Sequence, residues 1–427
     1  MNCILLISFL LLNCLSCSTN TAKNDDRAAI SSKDSLVIIK ADDPEITDTI
    51  RISQFADSLF YILLERTPQC KISGIRQVSI TDSLIFVLDV DNVVYAFNKN
   101  GKFIRTIARD CWGFDVLEES KLIFTAKKKI DVYNYSGERV CPSIRLEPEW
   151  EGFGSYFAAI DSNTIAISIW NQGIEDNRLV IIHADGSIVG TFPNREKFHA
   201  LKPSLFSMTA RYFHRTVSRY HNNIFYHPYY SDTLFSLSKN KLEPVFIERK
   251  IFKTPLENRM EYLGDEKEFF NYFLENEAYT TRIFYSMRYY FVVYNLGRIT
   301  ETLPNYLLYD KVSKQTYNYK QRLRLDTGSL HFGFYNDYDG GLPFNPAYLS
   351  NELLIEAHHP LRFKDFYLNG RNLQSCNVNG VCVIVHHEVK SGQCNHPERK
   401  MTLERFINQI NEDSNPVLIV ARLKGLN

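Results

Sequence analysis

The sequence has no excess of charge of either sign, since its 49 basic residues are matched by 49 acidic ones. Composition therefore gives no electrostatic reason to expect nucleic acid, and none is expected as a partner. The chain also lacks the uninterrupted run of about twenty apolar residues that a membrane-spanning helix requires. MNCILLISFLLLNCLS, over residues 1–16, stops short of that length. Local fingerprints of catalysis are missing too: no Gly-x-Ser-x-Gly elbow, P-loop, His-Glu-x-x-His or dinucleotide-binding glycine pattern occurs. The expectation is a protein without cofactor and without catalysis, although a site assembled from scattered residues would leave no such mark. Cysteine is scarce: beyond the first seventeen residues only Cys70, Cys111, Cys141, Cys376, Cys382 and Cys394 remain.

What is present at the N-terminus is an export signal. Residues 1–16 are uncharged and mostly apolar, and Ser16 stands directly before Cys17. Leu15-Ser16-Cys17-Ser18 resembles a bacterial lipobox, in which Cys17 becomes the lipid-bearing first residue. Cys14 stands where Leu is usual, and an ordinary cleaved secretory signal is the alternative. Residues 17–34 are polar and read as a flexible tether, leaving residues 35–427 as the folded domain. In an exported chain, six cysteines permit disulfides. Cys111 with Cys141, and two of Cys376, Cys382 and Cys394, are the pairs expected, with buried free thiols as the alternative.

Within the domain one pattern recurs. Ile75–Ile80, Leu84–Leu88, Val93–Phe97 and Phe103–Ile107 are four short strand-like runs. The last two are joined by Asn98-Lys99-Asn100-Gly101-Lys102, where Asn-Gly supplies the positive φ of a hairpin. Four such strands in a row make one propeller blade. Weaker copies start at residues 121, 164, 221 and 289, with turns at Gly137, Gly186, Asn240 and Ser313. A sixth is divided between ELLIEAH at 352–358 and PVLIVARLK at 416–424, and SLFYILLER at 58–66 would complete it. The fold expected is an all-β, six-bladed propeller of four-stranded antiparallel blades, its last blade closed by strands from both ends. Helical insertions are expected at 264–279 and 403–410, the second capped by Thr402.

SLFYILLE (58–65), DSLIFVLDVDNVVYAFNKNGKFIRTI (82–107), NNIFYHPYYSDTLFSL (222–237) and NPVLIVARLK (415–424) are together similar to the six-bladed β-propeller lipoproteins of Bacteroidetes, many of them domains of unknown function. The resemblance implies an envelope protein, lipid-anchored to the outer membrane, and no defined activity. Relatives tend to carry a glycine-rich loop after the first blade where this chain reads Ala108-Arg109-Asp110-Cys111-Trp112-Gly113, so no role of that loop is carried over.

Propellers gather ligands where loops of several blades meet around the channel. His227, Tyr229 and Tyr230 form the leading candidate segment, because Tyr offers a flat apolar face with a polar tip. Trp112 and Trp170 fall near strand ends of neighbouring copies, and packing between blades is their plainer role. Arg211 and Arg215, in a basic cluster with His214 and Arg219, suit an anionic sugar or phosphate, or simply face solvent. Adjacent His358-His359 and His386-His387 point to opposite strand faces and make no metal site. Cys376-x5-Cys382-x11-Cys394-x-His396 lacks the paired short spacing of a zinc ribbon, so no metal is expected. The function expected is a lipid-anchored propeller that binds a glycan, a peptide or a partner envelope protein. A polysaccharide-acting lyase or hydrolase is the alternative.

Overall fold

A computed structural model describes residues 36–40, 49–146, 156–169, 176–195, 217–228, 231–238, 241–249, 278–296, 305–319, 333–369, 374–378, 381–385 and 397–426. The expected helix at 264–279, Cys394, His386-His387 and residues 1–34 lie outside them. Residues 36–427 form one unit.

Apart from one two-stranded hairpin, the described strands fall into six sheets of four antiparallel strands, one of them extended by a fifth, parallel strand, and these are the blades of a propeller. Blade one is β3 (Ile75–Ile80), β4 (Leu84–Asp89), β5 (Val93–Asn98) and β6 (Phe103–Arg109). Blade two is β7 (Gly113–Leu117), β8 (Leu122–Ala126), β9 (Lys129–Asn134) and β10 (Ile144–Arg145). Blade three is β11 (Phe157–Ala159), β12 (Thr164–Ser168), β13 (Asn177–His183) and β14 (Ile188–Pro193). Blade four is β15 (Val217–Tyr220), β16 (Asn223–Tyr226), β17 (Thr233–Ser238) and β18 (Lys241–Arg249), with β1 (Val37–Lys40) added parallel on its outer edge. Blade five is β19 (Ala278–Tyr285), β20 (Tyr289–Leu296), β21 (Asn305–Asp310) and β22 (Thr316–Tyr319). Blade six runs β23 (Tyr348–Ser350), β24 (Leu353–His358), β27 (Val417–Leu423), β2 (Ala56–Leu63), so strands from the two ends of the domain close the ring as expected.

Both faces of the middle strands are covered, which is why they read as unbroken apolar runs rather than as alternation. Phe86, Val94 and Ile107 meet Phe114, Val116 and Ile123 between blades one and two. Phe124 and Val132 meet Ile165, Ile167 and Val180 between blades two and three. Between blades four and five the contact is aromatic, with Phe246 stacked on Tyr290 at 4.3 Å. Phe86 and Phe124 are fully buried, and each such side chain contributes on the order of 2 kcal/mol.

One turn is reused three times. Gly101 N–H donates to Asn98 O at 3.0 Å, Gly137 to Asn134 O at 3.0 Å and Gly186 to His183 O at 2.9 Å. Their φ angles are +80°, +81° and +87°, and the residue before each glycine stays at negative φ. The loop is therefore a type I turn closed by a left-handed glycine rather than a hairpin with two positive φ angles. Neighbours differ, however. A Cβ on Gly101 would run into the carbonyl oxygen of Leu63 in blade six, whereas one on Gly186 would meet nothing within 4 Å.

Three local expectations are corrected. The C-terminal helix, α3 (Pro397–Asn408), starts at Pro397, which is preorganised for a first turn, so Thr402 lies inside it and caps nothing. Two helices are unforeseen: α1 (Ile52–Phe55), directly before β2, and α2 (Pro360–Asn369), which begins the same insertion as α3, an insertion that also holds the hairpin β25 (Gln374–Val378) and β26 (Val381–Val385). Cys111 and Cys141 are free thiols, not a disulfide. Cys111 belongs to the core between blades one and two and Cys141 packs on that between blades two and three, so the blade-two sheet stands between them. In the hairpin Cys376 is paired with Val383 and Cys382 with Asn377, and Cys394, the third cysteine of that expectation, lies outside the described residues.

Candidate functional site

The innermost strand of each blade faces the channel, and side chains on these strands bind the blades together. Gln77 accepts from the Phe114 N–H at 3.2 Å and donates to the Phe114 carbonyl, joining blades one and two. Asp115 Oδ2 accepts from the Ala159 N–H of blade three at 2.9 Å and from Arg219 Nε of blade four at 3.2 Å. Ser350 Oγ takes the Ile80 N–H at 2.8 Å and donates to the Ile80 carbonyl at 2.9 Å, joining blades six and one. The Tyr220 hydroxyl of blade four donates to Glu352 of blade six and accepts from the Met287 N–H of blade five at 2.7 Å.

Two of these links, Arg219 to Asp115 and Tyr220 to Glu352, cross between blades that are not neighbours. They floor the channel at the end where the first and second strands of each blade turn. The turns themselves form the rim. Asn351 Nδ2 donates to Glu118 Oε2 at 3.2 Å, Asn222 Nδ2 to Glu119 Oε1 at 2.8 Å, and the Asp82 N–H to Glu118 Oε1 at 2.5 Å. Three of the turns carry a residue at positive φ, namely Lys121, His221 and Asn351, which swings the chain sharply into the second strand.

Glu352 is the unusual group on this floor. Burial pushes its carboxyl up to about 7, against a smaller lowering by the Met287 N–H. His221 Nε2 stands 3.9 Å from its Oε1. Its other oxygen, Oε2, and Arg219 Nη2 are both buried with no hydrogen-bond partner among the described residues. A buried polar atom without a partner costs about 1–3 kcal/mol, so this floor holds a donor and an acceptor that the described residues do not satisfy.

A second acid–tyrosine group sits away from the channel, where Tyr61 of β2 meets the segment before blade six. Asp339 Oδ2 accepts from the Tyr61 hydroxyl at 2.7 Å, and Oδ1 accepts from Asn336 Nδ2 at 2.8 Å and the Gly341 N–H at 2.9 Å. The Tyr367 hydroxyl of α2 lies 3.3 Å from that of Tyr61 and accepts from the Leu342 N–H at 3.2 Å. A Cβ on Gly341 would collide with the Tyr367 hydroxyl. Burial raises the Asp339 carboxyl and the Tyr61 phenol.

Of the residues singled out from the sequence, Trp112 and His227 lie at the opposite end of the channel, where second and third strands turn. Trp112 is half-buried, with Lys127 Nζ 5.7 Å from its ring centroid. His227 Nε2 is 2.9 Å from the Ser231 carbonyl and closes its own turn. Tyr229, Tyr230, Trp170, Arg211 and Arg215 lie outside the described residues. Among the described residues no group of three or more His, Cys, Asp or Glu side chains could hold a metal ion. No helix among the described residues is long and apolar enough to cross a membrane. Asp115, Glu352 and the cross-channel role of Arg219 and Tyr220 escaped sequence reasoning. Their only signal was the recurrence of polar residues at the first turn of successive copies, as in Glu118-Glu119, His221-Asn222 and Asn351-Glu352.

Comparison with solved structures gives the same fold in a protein described as a "putative exported protein" of Bacteroides fragilis. It is 17% identical, with 92% of this chain and 100% of that one covered and a TM-score of 0.63. A structure of KlHsv2 with one loop replaced by a Gly-Ser linker matches at 8% identity over 68% of this chain and 76% of that one, with a TM-score of 0.35, too low to carry an argument. No curated protein matches. The profile of a domain of unknown function, DUF4934, matches residues 36–422, and the chain belongs to that family.

Proposed function

We propose that this protein is an exported, membrane-tethered propeller that binds a neutral, polyhydroxylated ligand, the end of an oligosaccharide, at the channel mouth floored by Arg219 and Glu352. Support for export comes from the apolar leader at residues 1–16 and the description of the Bacteroides fragilis neighbour. Anchoring rests on Cys17 in its lipobox-like setting, and the outer membrane is the expected location. Replacing Cys17 with Ala is expected to release the protein from the membrane fraction; unchanged partitioning would sink the anchor.

The observation that carries the binding reading is the pair of buried, unpartnered atoms, Arg219 Nη2 and Glu352 Oε2. In this reading Arg219 donates to one sugar hydroxyl and Glu352 accepts from another. Carboxylates and amides on the rim, from Glu118, Glu119, Asn222 and Asn351, favour a ligand rich in hydroxyl donors over an anionic one. Titrating the chain from residue 18 onward against neutral and anionic oligosaccharides, by calorimetry, is expected to give saturable binding of neutral sugars alone. Loss of at least tenfold in affinity is expected in Arg219→Gln. Silence across the panel would overturn the reading in favour of a protein partner.

A polysaccharide-acting enzyme is the second reading, favoured by one observation: an acid held near neutrality within hydrogen-bond reach of a tyrosine is the pairing that general acid–base chemistry uses. Against it, Tyr220 is only 1% exposed and its hydroxyl is already engaged by Glu352 and Met287. Measuring new reducing ends and unsaturated products with the same sugars separates the two readings.

A further inference from the structure

A groove of about 980 Å³ runs along the outer edge of blade six, independent of the channel mouth. Its floor is β2 and its walls are the blade-one turn Lys99–Lys102 on one side and Phe406 of α3 on the other. The direction of the β2 backbone groups follows from two bonds. Leu64 N–H donates inward to Pro416 O at 3.3 Å, and Glu65 N–H donates outward to Gly101 O at 2.8 Å. Because that direction alternates along an antiparallel strand, the N–H groups of Tyr61 and Leu63 also point outward, and among the described residues they have no backbone partner.

An unpaired edge of this kind is a template for another strand. The molecule already uses the same device elsewhere: β1 lies parallel on β18, Val37 beside Phe246 through Lys40 beside Arg249, as a fifth strand of blade four. In the groove, the two walls differ in chemistry. On the blade-one side stand Lys71, Lys99 and Lys102; Lys71 and Lys102 are exposed and meet no carboxylate among the described residues. The acids nearby are already committed, Asp413 to Arg66 at 3.3 Å and Glu65 to the Phe103 N–H at 2.8 Å. On the insertion side the wall is apolar at Phe406. Residues of β2 themselves alternate, with Phe60 and Ile62 on the blade-one core and Tyr61 and Leu63 on the insertion core.

We propose that this groove binds an extended peptide segment of another protein, alternating acidic and apolar residues, as a fifth strand on β2. Its backbone pairs with the Tyr61 carbonyl and the Leu63 N–H, the Leu63 carbonyl being covered by Gly101, its acids face Lys71 and Lys102, and its apolar side chains face Phe406.

The test uses the chain from residue 18 onward and acetylated, amidated peptides read by fluorescence anisotropy. (Glu-Val)4 is expected to bind saturably, and (Lys-Val)4 at least tenfold more weakly. In a Lys71→Glu, Lys102→Glu double variant, whose substitutions are both at exposed positions, that preference is expected to reverse. N-methylation of the (Glu-Val)4 residues on one backbone edge is expected to abolish binding, and on the other edge to leave it unchanged. No saturable binding, equal binding of both charge patterns, or indifference to N-methylation of either edge would overturn the proposal. So would displacement of (Glu-Val)4 by polygalacturonate at equal charge, which would assign the groove to an anionic sugar. A dimer that (Glu-Val)4 fails to dissociate in sedimentation would assign it to a second copy of the chain and overturn the proposal equally.

Discussion

Asp339 and Glu352 are both buried acids beside tyrosines, and burial raises both, yet they do opposite things. Asp339 is 6% exposed, and both of its oxygens accept hydrogen bonds from the chain. The side chain of Glu352 is 22% exposed, and one of its oxygens has no partner among the described residues. The first network is closed and fixes the segment before blade six to β2. The second is left open at a channel mouth. Polar satisfaction among the described residues, rather than an altered acidity, is where the two groups differ.

Substitutions in the two groups should therefore differ in sign as well as in size. The largest effect is expected at Asp339→Ala, which strands the Tyr61 hydroxyl, Asn336 and the Gly341 N–H together and should cost about 3 kcal/mol or more in urea unfolding. Tyr61→Phe removes one donor from the same network and should cost about 1 kcal/mol. Glu352→Gln should do the reverse at pH 8, raising stability while weakening sugar binding at least tenfold. If it destabilises as Asp339→Ala does, Glu352 is a structural residue and the distinction collapses.

The pH dependence follows from the raised carboxyl. Between the ordinary glutamate value of about 4.5 and the folded value of about 7, the folded protein holds a proton that the unfolded chain has lost. Stability contributed by Glu352 is therefore complete below about 4.5, falls as pH rises toward 7 and is flat above. Glu352→Gln should remove that part of the slope, leaving what the buried carboxyls of Asp339 and Asp89 add. Gly186→Ala should cost as little as Tyr61→Phe, about 1 kcal/mol for left-handed strain alone, since its Cβ meets nothing within 4 Å. Gly101→Ala meets the Leu63 carbonyl as well and should exceed it, an ordering readable from two melting curves.

The middle strands were legible because, covered on both faces, they appear as apolar runs such as LIFVL and LVIIH. The closing partnership of 58–66 with 416–424 was legible for the same reason, as an apolar strand without a local mate. Beyond Ile75–Ile80 of blade one the inner strands were not, since VSRY and FAA are short and one face meets polar channel groups. The candidate site lies on and beside those strands, so it was nearly invisible. Tyr220 and Glu352 stand 132 residues apart, and nothing local couples them. Aromatic runs drew attention to His227 and Trp112 instead, and the structure gives those two a turn to close and a lysine to pack on.

Blade six has a consequence for the order of events in the life of the chain. Its outer strand, residues 56–63, is made early, but its partner, residues 417–423, is made more than three hundred residues later. During synthesis the early strand has nothing to pair with, and the ring stays open. Blades one to five can form as they are made, and the last pairing to form is the one between the two ends of the domain.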